Sequence, residues 1–367
     1  AAQQAVRDIE ARQGAAAFQR WIPLLAPEGR WVRHVGFLSE IYDWVQRESS
    51  ATSLIIQLRS NDPRTRRAVA RMLVANGGAV EALGAALSST DPLVTSVIVN
   101  GLQPREISRP DVLRTLENSR SIVARTRAFL AVREAAPERA QVLAIQFLRE
   151  RSAVIRCLGQ RHLADGGADL AAMYRAMLPD EAEVAMIGLA EVGSASDAPL
   201  IERYLTADSR RVRAIAVQAY ARLVGAAATS AALAALQDES PRVAKAASFA
   251  LIRIGVTSAS AEVAWTTAVR SAATRPSALR VVARADRWHQ LRAALRAVLS
   301  DDADLQQRGL VLFDGCMVSW NRAATTVPIE EVREIDALLS SARDALGRVR
   351  HELAATSIRP FVSQRGG

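Results

Sequence analysis

Apolar residues recur along this chain three and four positions apart, the spacing that gathers them on one helix face, and one such stretch is written twice. Residues 208–225, DSRRVRAIAVQAYARLVG, return as residues 238–255, DESPRVAKAASFALIRIG. Val212 and Val243 hold equivalent places, followed at matching offsets by Ala216 and Ala247, Ala219 and Ala250, and Leu223 and Ile254. These faces are small and aliphatic, so helices carrying them can approach closely and interdigitate over a shallow interface. Repetition of one helix over one apolar face predicts a stacked array, in which each unit buries its face against the next.

Local punctuation sets the unit. Asp or Ser before Pro supplies an N-cap oxygen, then a residue with preset φ and no N–H to leave orphaned. Asp62-Pro63, Asp91-Pro92 and Ser240-Pro241 have this form, and Gly77-Gly78, Gly166-Gly167, Gly193, Gly225 and Gly255 stand where helices should stop. Helix-start anchors at Thr65, Val94, Ile155, Val212 and Val243 lie 29, 61, 57 and 31 residues apart. Each long interval accommodates two units, which places degenerate copies around residues 120–134 and 180–193. The period is about 30 residues, with two short helices per unit.

The expected organisation is all-α and has five parts. Residues 1–52 hold Trp21, Trp31 and Trp44 without the repeat pattern, and are expected to form an N-terminal helical cap that seals the open end of the core. The alternative for this stretch is a docking surface for an upstream segment. Residues 53–256 carry the repeats, and residues 257–309 are divergent and basic, interrupted at Pro276. Residues 310–356 are expected to form a C-terminal helical cap with a longer helix starting near Pro328, and residues 357–367 to fray as a tail.

Composition adjusts this picture. Half of the 367 residues are apolar but only 5% are aromatic, which suits a repeat array better than one large core, since single cores usually split at this length. The net charge is +9, and 46 of the 47 basic residues are arginine, Lys245 being the exception. A skew of that kind points to GC-rich coding and weakens the charge as a sign of phosphate recognition. With one lysine, in a repeated helix, a P-loop or a pyridoxal Schiff base has no residue to build on. Cys157 and Cys316 are too scattered for a disulfide framework, so a reducing, cytoplasmic setting is expected. No run reaches the roughly 18 consecutive apolar residues of a membrane span, and the opening AAQQA lacks a signal-peptide layout. The chain begins without Met, so a longer parent with an upstream domain or membrane anchor stays open.

At DPRTRRAVARMLVANGG and DESPRVAKAASFALIRIG the chain resembles the short-period HEAT-type (PBS-lyase-like) helical repeats of bacterial proteins. The resemblance covers residues 53–255 well and the stretch from Asp301 loosely. It implies a right-handed α-solenoid that serves as an interaction scaffold, and relatives of this class also act on nucleic acid or on chromophore attachment.

No catalytic residue, metal site or cofactor is expected. His34, His162, His289 and His351 never fall at the i, i+4 spacing of a helical metal site, and no Gly-x-Ser-x-Gly elbow occurs. Cys157 falls at a repeat position where small core residues recur, so it is expected to be a buried small hydrophobe. The arginines at helix starts have two readings. Arg66, Arg156 and Arg213 could pair along the stack with Asp62, Asp208 and Asp238 as a structural ladder, or follow a phosphate backbone as in HEAT-like DNA glycosylases. A glycosylase needs a carboxylate and aromatics around a base pocket, for which Asp43-Trp44 and Asp286-Arg287-Trp288 are the available pairs.

Charge distribution favours the ladder. Residues 270–296 carry seven arginines against Asp286, whereas residues 165–202 carry eight acids against Arg175. A continuous nucleic-acid track would have to cross that acidic block. The expectation is therefore a scaffold for a protein partner, with Arg280, Arg284, Arg287, Arg292 and Arg296 as one candidate surface and Asp180, Glu181, Glu183 and Glu191 as another. A shorter nucleic-acid footprint on the later repeats is the alternative.

Overall fold

A computed structural model describes residues 51–318, 320 and 329–363. The Trp-rich stretch with Trp21, Trp31 and Trp44, the Asp43-Trp44 pair, His34 and the last four residues lie outside the described residues. Every regular element among the described residues is helical. The described residues divide into two compact units, one ending at residue 168 and the other beginning at residue 169.

In the first unit the helices are α1 Ala51–Gln57, α2 Pro63–Ala75, α3 Ala79–Leu87, α4 Pro92–Gly101, α5 Pro104–Ile107, α6 Pro110–Glu117, α7 Ile122–Ala135, α8 Pro137–Phe147 and α9 Ala153–Asp165. Helices α2, α4, α7 and α9 stack as one layer, and α1, α3, α6 and α8 lie against it. The starts follow the local chemistry. Asp62 accepts from the backbone N–H groups of Arg64 and Thr65, and Asp91 from that of Leu93, which satisfies donors that the first turn leaves orphaned. Gly77 closes α2 at φ +72°, with the Gly78 N–H reaching back to the Leu73 carbonyl at 2.7 Å, a reversal that a side chain at Gly77 would strain. Helix α7 occupies the first interval where the period calls for a degenerate copy.

The second unit contains α10 Leu170–Met177, α11 Ala182–Val192, α12 Ala198–Glu202, α13 Arg210–Val224, α14 Thr229–Leu236, α15 Pro241–Ile254, α16 Ser258–Arg270, α17 Arg275–Val282, α18 Arg287–Val298, α19 Ala303–Val318, α20 Ile329–Ser341 and α21 Arg343–Ser363. One layer is built from α11, α13, α15 and α17 in succession, the other from α10, α12, α14, α16, α18 and α20. The core is that of the repeated faces: Val217, Ala221, Ala247, Ala250 and Leu251 continue into Ala264, Ala268, Ala278, Val281 and Val282. A second core joins Trp288, Leu291 and Leu295 of α18 to Phe313 and Cys316 of α19 and to Val332, Ile335 and Leu339 of α20. There Trp288 and Trp320 meet edge to face at 5.0 Å.

Several expectations need correction. Pro276 is not a break but sits in the first turn of α17, where its missing N–H costs nothing. The last helix continues to Ser363 instead of fraying at Ser357, because Ala354 and Ile358 are buried and the Trp320 indole N–H donates to the Ser357 carbonyl at 3.2 Å. Residues 210–236 contain an 18-residue window with a mean hydropathy of 1.3, long and apolar enough by composition to cross a membrane, although the stretch is not continuously apolar. Gly225, at φ +56°, breaks that segment into α13 and α14, which fold back into the array. Cys157 is exposed on α9, while Ala214, one position after Arg213 as Cys157 is after Arg156, is buried.

Candidate functional site

The first-turn arginines define a repeating connection. Arg213 of α13 donates backwards to the carbonyls of Ala207 and Asp208 at 2.8 and 2.9 Å, and forwards to both carboxylate oxygens of Asp238 at 2.8 and 3.0 Å. Arg66 reaches back to Ser60 and Asn61 at 2.7 and 3.1 Å and lies 3.8 Å from Asp91, which also accepts from Arg67 at 2.9 Å. Arg156 holds the carbonyls of Glu150 and Arg151 in the same way, and Arg125 pairs with the Glu150 carboxylate. Arg275 completes the series: it donates to the Ala268 carbonyl at 3.0 Å, to both oxygens of Asp302 and to Asp304.

At Arg213, Arg66 and Arg275 one guanidinium fastens the backbone before its own helix and meets an acid near the start of a later one, while Arg156 holds the backbone before its helix. Burial pushes the Asp238 carboxyl up, but the Arg213 hydrogen bond, the Ser240 N–H and the Arg213 charge together hold it below the usual carboxylate range. Asp62 and Asp208 do not act as the carboxylate partners expected of them. Asp62 caps its own helix, also accepting from the Thr65 hydroxyl at 2.7 Å, and Asp208 contributes its main-chain carbonyl while Ser209 caps α13.

The acidic candidates are dispersed. Glu183 pairs with Arg211 at 2.6 Å, Glu181 and Glu191 each have partners, and Asp180 is exposed. Nearby, Asp197 is buried and receives Arg175 at 2.6 Å. Most of this charge thus closes local structure and does not gather into one surface.

The basic candidates separate into two groups. Arg292 and Arg296, one turn apart on α18, face Glu262 of α16 and Glu334 of α20 in a four-membered network with separations of 2.7 to 3.5 Å. Their charge is neutralised within the layer. Arg280, Arg284 and Arg287 instead line a groove of about 770 Å³ between α17 and α19, together with Arg308.

The groove exists because the layer of α11, α13, α15 and α17 loosens after α17. Each of these helices packs closely on the next, whereas α19 packs closely on α18 and at most sparsely on α17. The N-terminal ends of α17 and α19 remain tied through Arg275 to Asp302 and Asp304. Pro276, Leu279, Arg280 and Ala283 present one face from α17 and the turn after it, and Arg308, Val311, Leu312 and Gly315 present one face of α19.

Leu279 and Leu312 lean on the main core and form an aliphatic floor, while Val311 is 71% exposed. The Arg280 guanidinium lies over the Phe249 ring at 5.0 Å and donates to the Ser248 hydroxyl at 3.2 Å. Arg287 donates to the Cys316 carbonyl at 3.4 Å, Arg308 is bound through its Nε to Asp304, and Arg284 is exposed with no ion pair among the described residues. No carboxylate and no aromatic ring lines the groove. Arg308 lies outside the basic run in the sequence, and the signal that could have found it is its place in the first turn and a half of α19, facing α17.

Other candidates take structural positions. Asp286 caps α18 through the N–H groups of Trp288 and His289 and lies 2.6 Å from the His289 ring, while Trp288 is buried, so these residues do not frame a base pocket. Burial pushes the Cys316 thiol up to about 12, which leaves it protonated and unreactive. No group of three potential metal ligands occurs among the described residues.

No family model matches the chain, and no curated protein matches it in sequence. Among solved structures, an engineered protein is similar at 15% identity and a TM-score of 0.38, covering 84% of this chain and 98% of that one. The complex of CpcE and CpcF of phycocyanin lyase from Nostoc sp. PCC7120 is similar at 19% identity and a TM-score of 0.25, covering 73% and 95%.

Proposed function

We propose that this chain is a helical-repeat interaction scaffold, without a chemical step of its own, that takes a protein partner in the arginine-lined groove between α17 and α19. The observation that carries this reading is the loosening of the α11, α13, α15 and α17 layer after α17, where four arginines and an aliphatic floor line one groove. On the neighbouring face of α18, Arg292 and Arg296 are matched to Glu262 and Glu334 across the layer. Around the groove the matching is incomplete.

Rigid helices and a clamped Arg280 keep the ordering cost of binding low. Aliphatic contact with a charged rim is the anatomy of a protein interface. The absence of any ring in the lining argues against single-stranded nucleic acid, which is usually held by base stacking.

The test is affinity purification of the full chain from its native cell, comparing the parent with Arg280→Glu/Arg284→Glu. The reading expects one near-stoichiometric protein with the parent and its depletion with the variant. The same partners with both chains, or nuclease-sensitive recovery of nucleic acid instead of protein, would overturn it.

A further inference from the structure

We infer that the occupant of the groove is an acidic amphipathic α-helix of the partner, which lays an aliphatic stripe against Leu279, Val311 and Leu312 and directs carboxylates to Arg280, Arg284, Arg287 and Arg308. This rests on the scaffold reading and specifies the chemistry of the partner.

The occupant's charge follows from the lining. Four arginines and no carboxylate line the groove, so a ligand is favoured in proportion to the negative charge it brings and a basic one is repelled. Arg284 is exposed with no ion pair among the described residues, and Arg308 meets Asp304 through Nε. Arginine suits this task because its planar fork accepts a carboxylate along two parallel hydrogen bonds.

The occupant's shape follows from the walls. Both are helix faces whose backbone N–H and C=O groups are already used within α17 and α19. An extended peptide would find no strand edge on which to satisfy its main chain, whereas a helix satisfies its own. From Pro276 to Ala283, and likewise from Arg308 to Gly315, each wall runs about 10 Å, two helical turns. Side chains at i, i+3, i+4 and i+7 of an incoming helix cover that length.

A bare phosphate or a phosphodiester chain fits less well. It would leave Leu279, Val311 and Leu312 uncovered, and the exposed Val311 in particular has no role in binding an anion alone.

The test uses fluorescence anisotropy on the full chain with two labelled peptides of about 18 residues, long enough to form helix on a surface. One carries Leu at i, i+3, i+4 and i+7 with Glu flanking the stripe, and the other has the same composition in scrambled order. The amphipathic peptide is expected to bind at least about tenfold more tightly than the scrambled one, a difference of 1.4 kcal/mol. It is also expected to gain helical ellipticity on binding.

Arg284→Glu/Arg287→Glu should weaken it by about tenfold or more, and Val311→Glu, at an exposed position that tolerates charge, by about fivefold. Equal binding of the two peptides, no effect of Val311→Glu, or displacement by a DNA duplex at equal charge concentration would overturn the inference. If neither peptide binds but a native partner is still lost with Arg280→Glu/Arg284→Glu, the inference fails while the scaffold reading stands. If that partner is indifferent to the groove, both fail.

Discussion

Replacing Gly188 by Ala probes how closely α10 and α11 are packed. A methyl group at Gly188 would stand 2.1 Å from Cε1, 2.2 Å from Cζ and 2.4 Å from Cδ1 of Tyr174, where carbon atoms prefer about 3.5–4 Å. The ring is fully buried and cannot swing into water. Relief therefore requires the two helices to separate by more than about 1 Å in a densely packed interior. Overpacking costs about 1–3 kcal/mol, and a clash against a locked ring puts Gly188→Ala near the upper end, about 3 kcal/mol.

Tyr174→Leu opens a cavity that costs about 2–4 kcal/mol alone, but it vacates the space the methyl needs. The double variant should then be more stable than the sum of the single effects by about 2 kcal/mol. Urea unfolding by circular dichroism would measure this, with amide exchange over α10 and α11, since a repeat array need not unfold as one unit. A parent-like Gly188→Ala variant, or additivity within about 0.5 kcal/mol, would refute the packing described.

Four further outcomes are expected. Arg213→Met removes charge-assisted bonds that are largely shielded from water, each contributing about 1.5–3 kcal/mol; it should destabilise by about 2–3 kcal/mol and couple to Asp238→Asn in a double-mutant cycle. Asp91, Asp197 and Asp238 are pushed up by burial, but hydrogen bonds and arginine charges hold them below the usual carboxylate range in the folded chain. Their contribution is therefore present above the ordinary carboxylate pKa of about 4 and lost as pH falls towards the depressed values, so urea midpoints should drop between pH 5 and 3. A flat profile there would contradict the ladder. Under native conditions a thiol reagent should label Cys157 and leave Cys316, whose thiol is buried and pushed up to about 12; equal labelling would contradict the packing of α19. Reversing Arg284, which has no ion pair among the described residues, should change stability by no more than about 0.5 kcal/mol, so loss of partner binding on that change would report the surface and not the fold.

The helical array was legible because its signals are local. Asp62 and Asp91 announce helix starts within three residues, and Ala216 and Ala219 of the repeated pattern fall on the buried face, with Val212 half-buried at its edge. The forward ladder partner was visible for Arg213 because Asp238 opens the copied segment, but Asp62 and Asp208 were misassigned since capping and bridging draw on the same residue type. The groove was only half legible. Arg280, Arg284, Arg287, Arg292 and Arg296 form one run in sequence, yet they fall on different helices and faces, and Glu334, which neutralises two of them, lies 38 residues beyond Arg296. The contact of Tyr174 with Gly188 gave no signal beyond a lone glycine in a helix.

The central claim, that a partner docks between α17 and α19, is tested most directly by placing a photo-crosslinking residue at Ala283, which is exposed and lines the groove. Irradiation of the native assembly should give one dominant adduct, mapped to an acidic helical segment of another protein and lost when Arg284 and Arg287 are reversed to Glu. An adduct that survives the charge reversal, or a partner captured from α14 and not from Ala283, would contradict it.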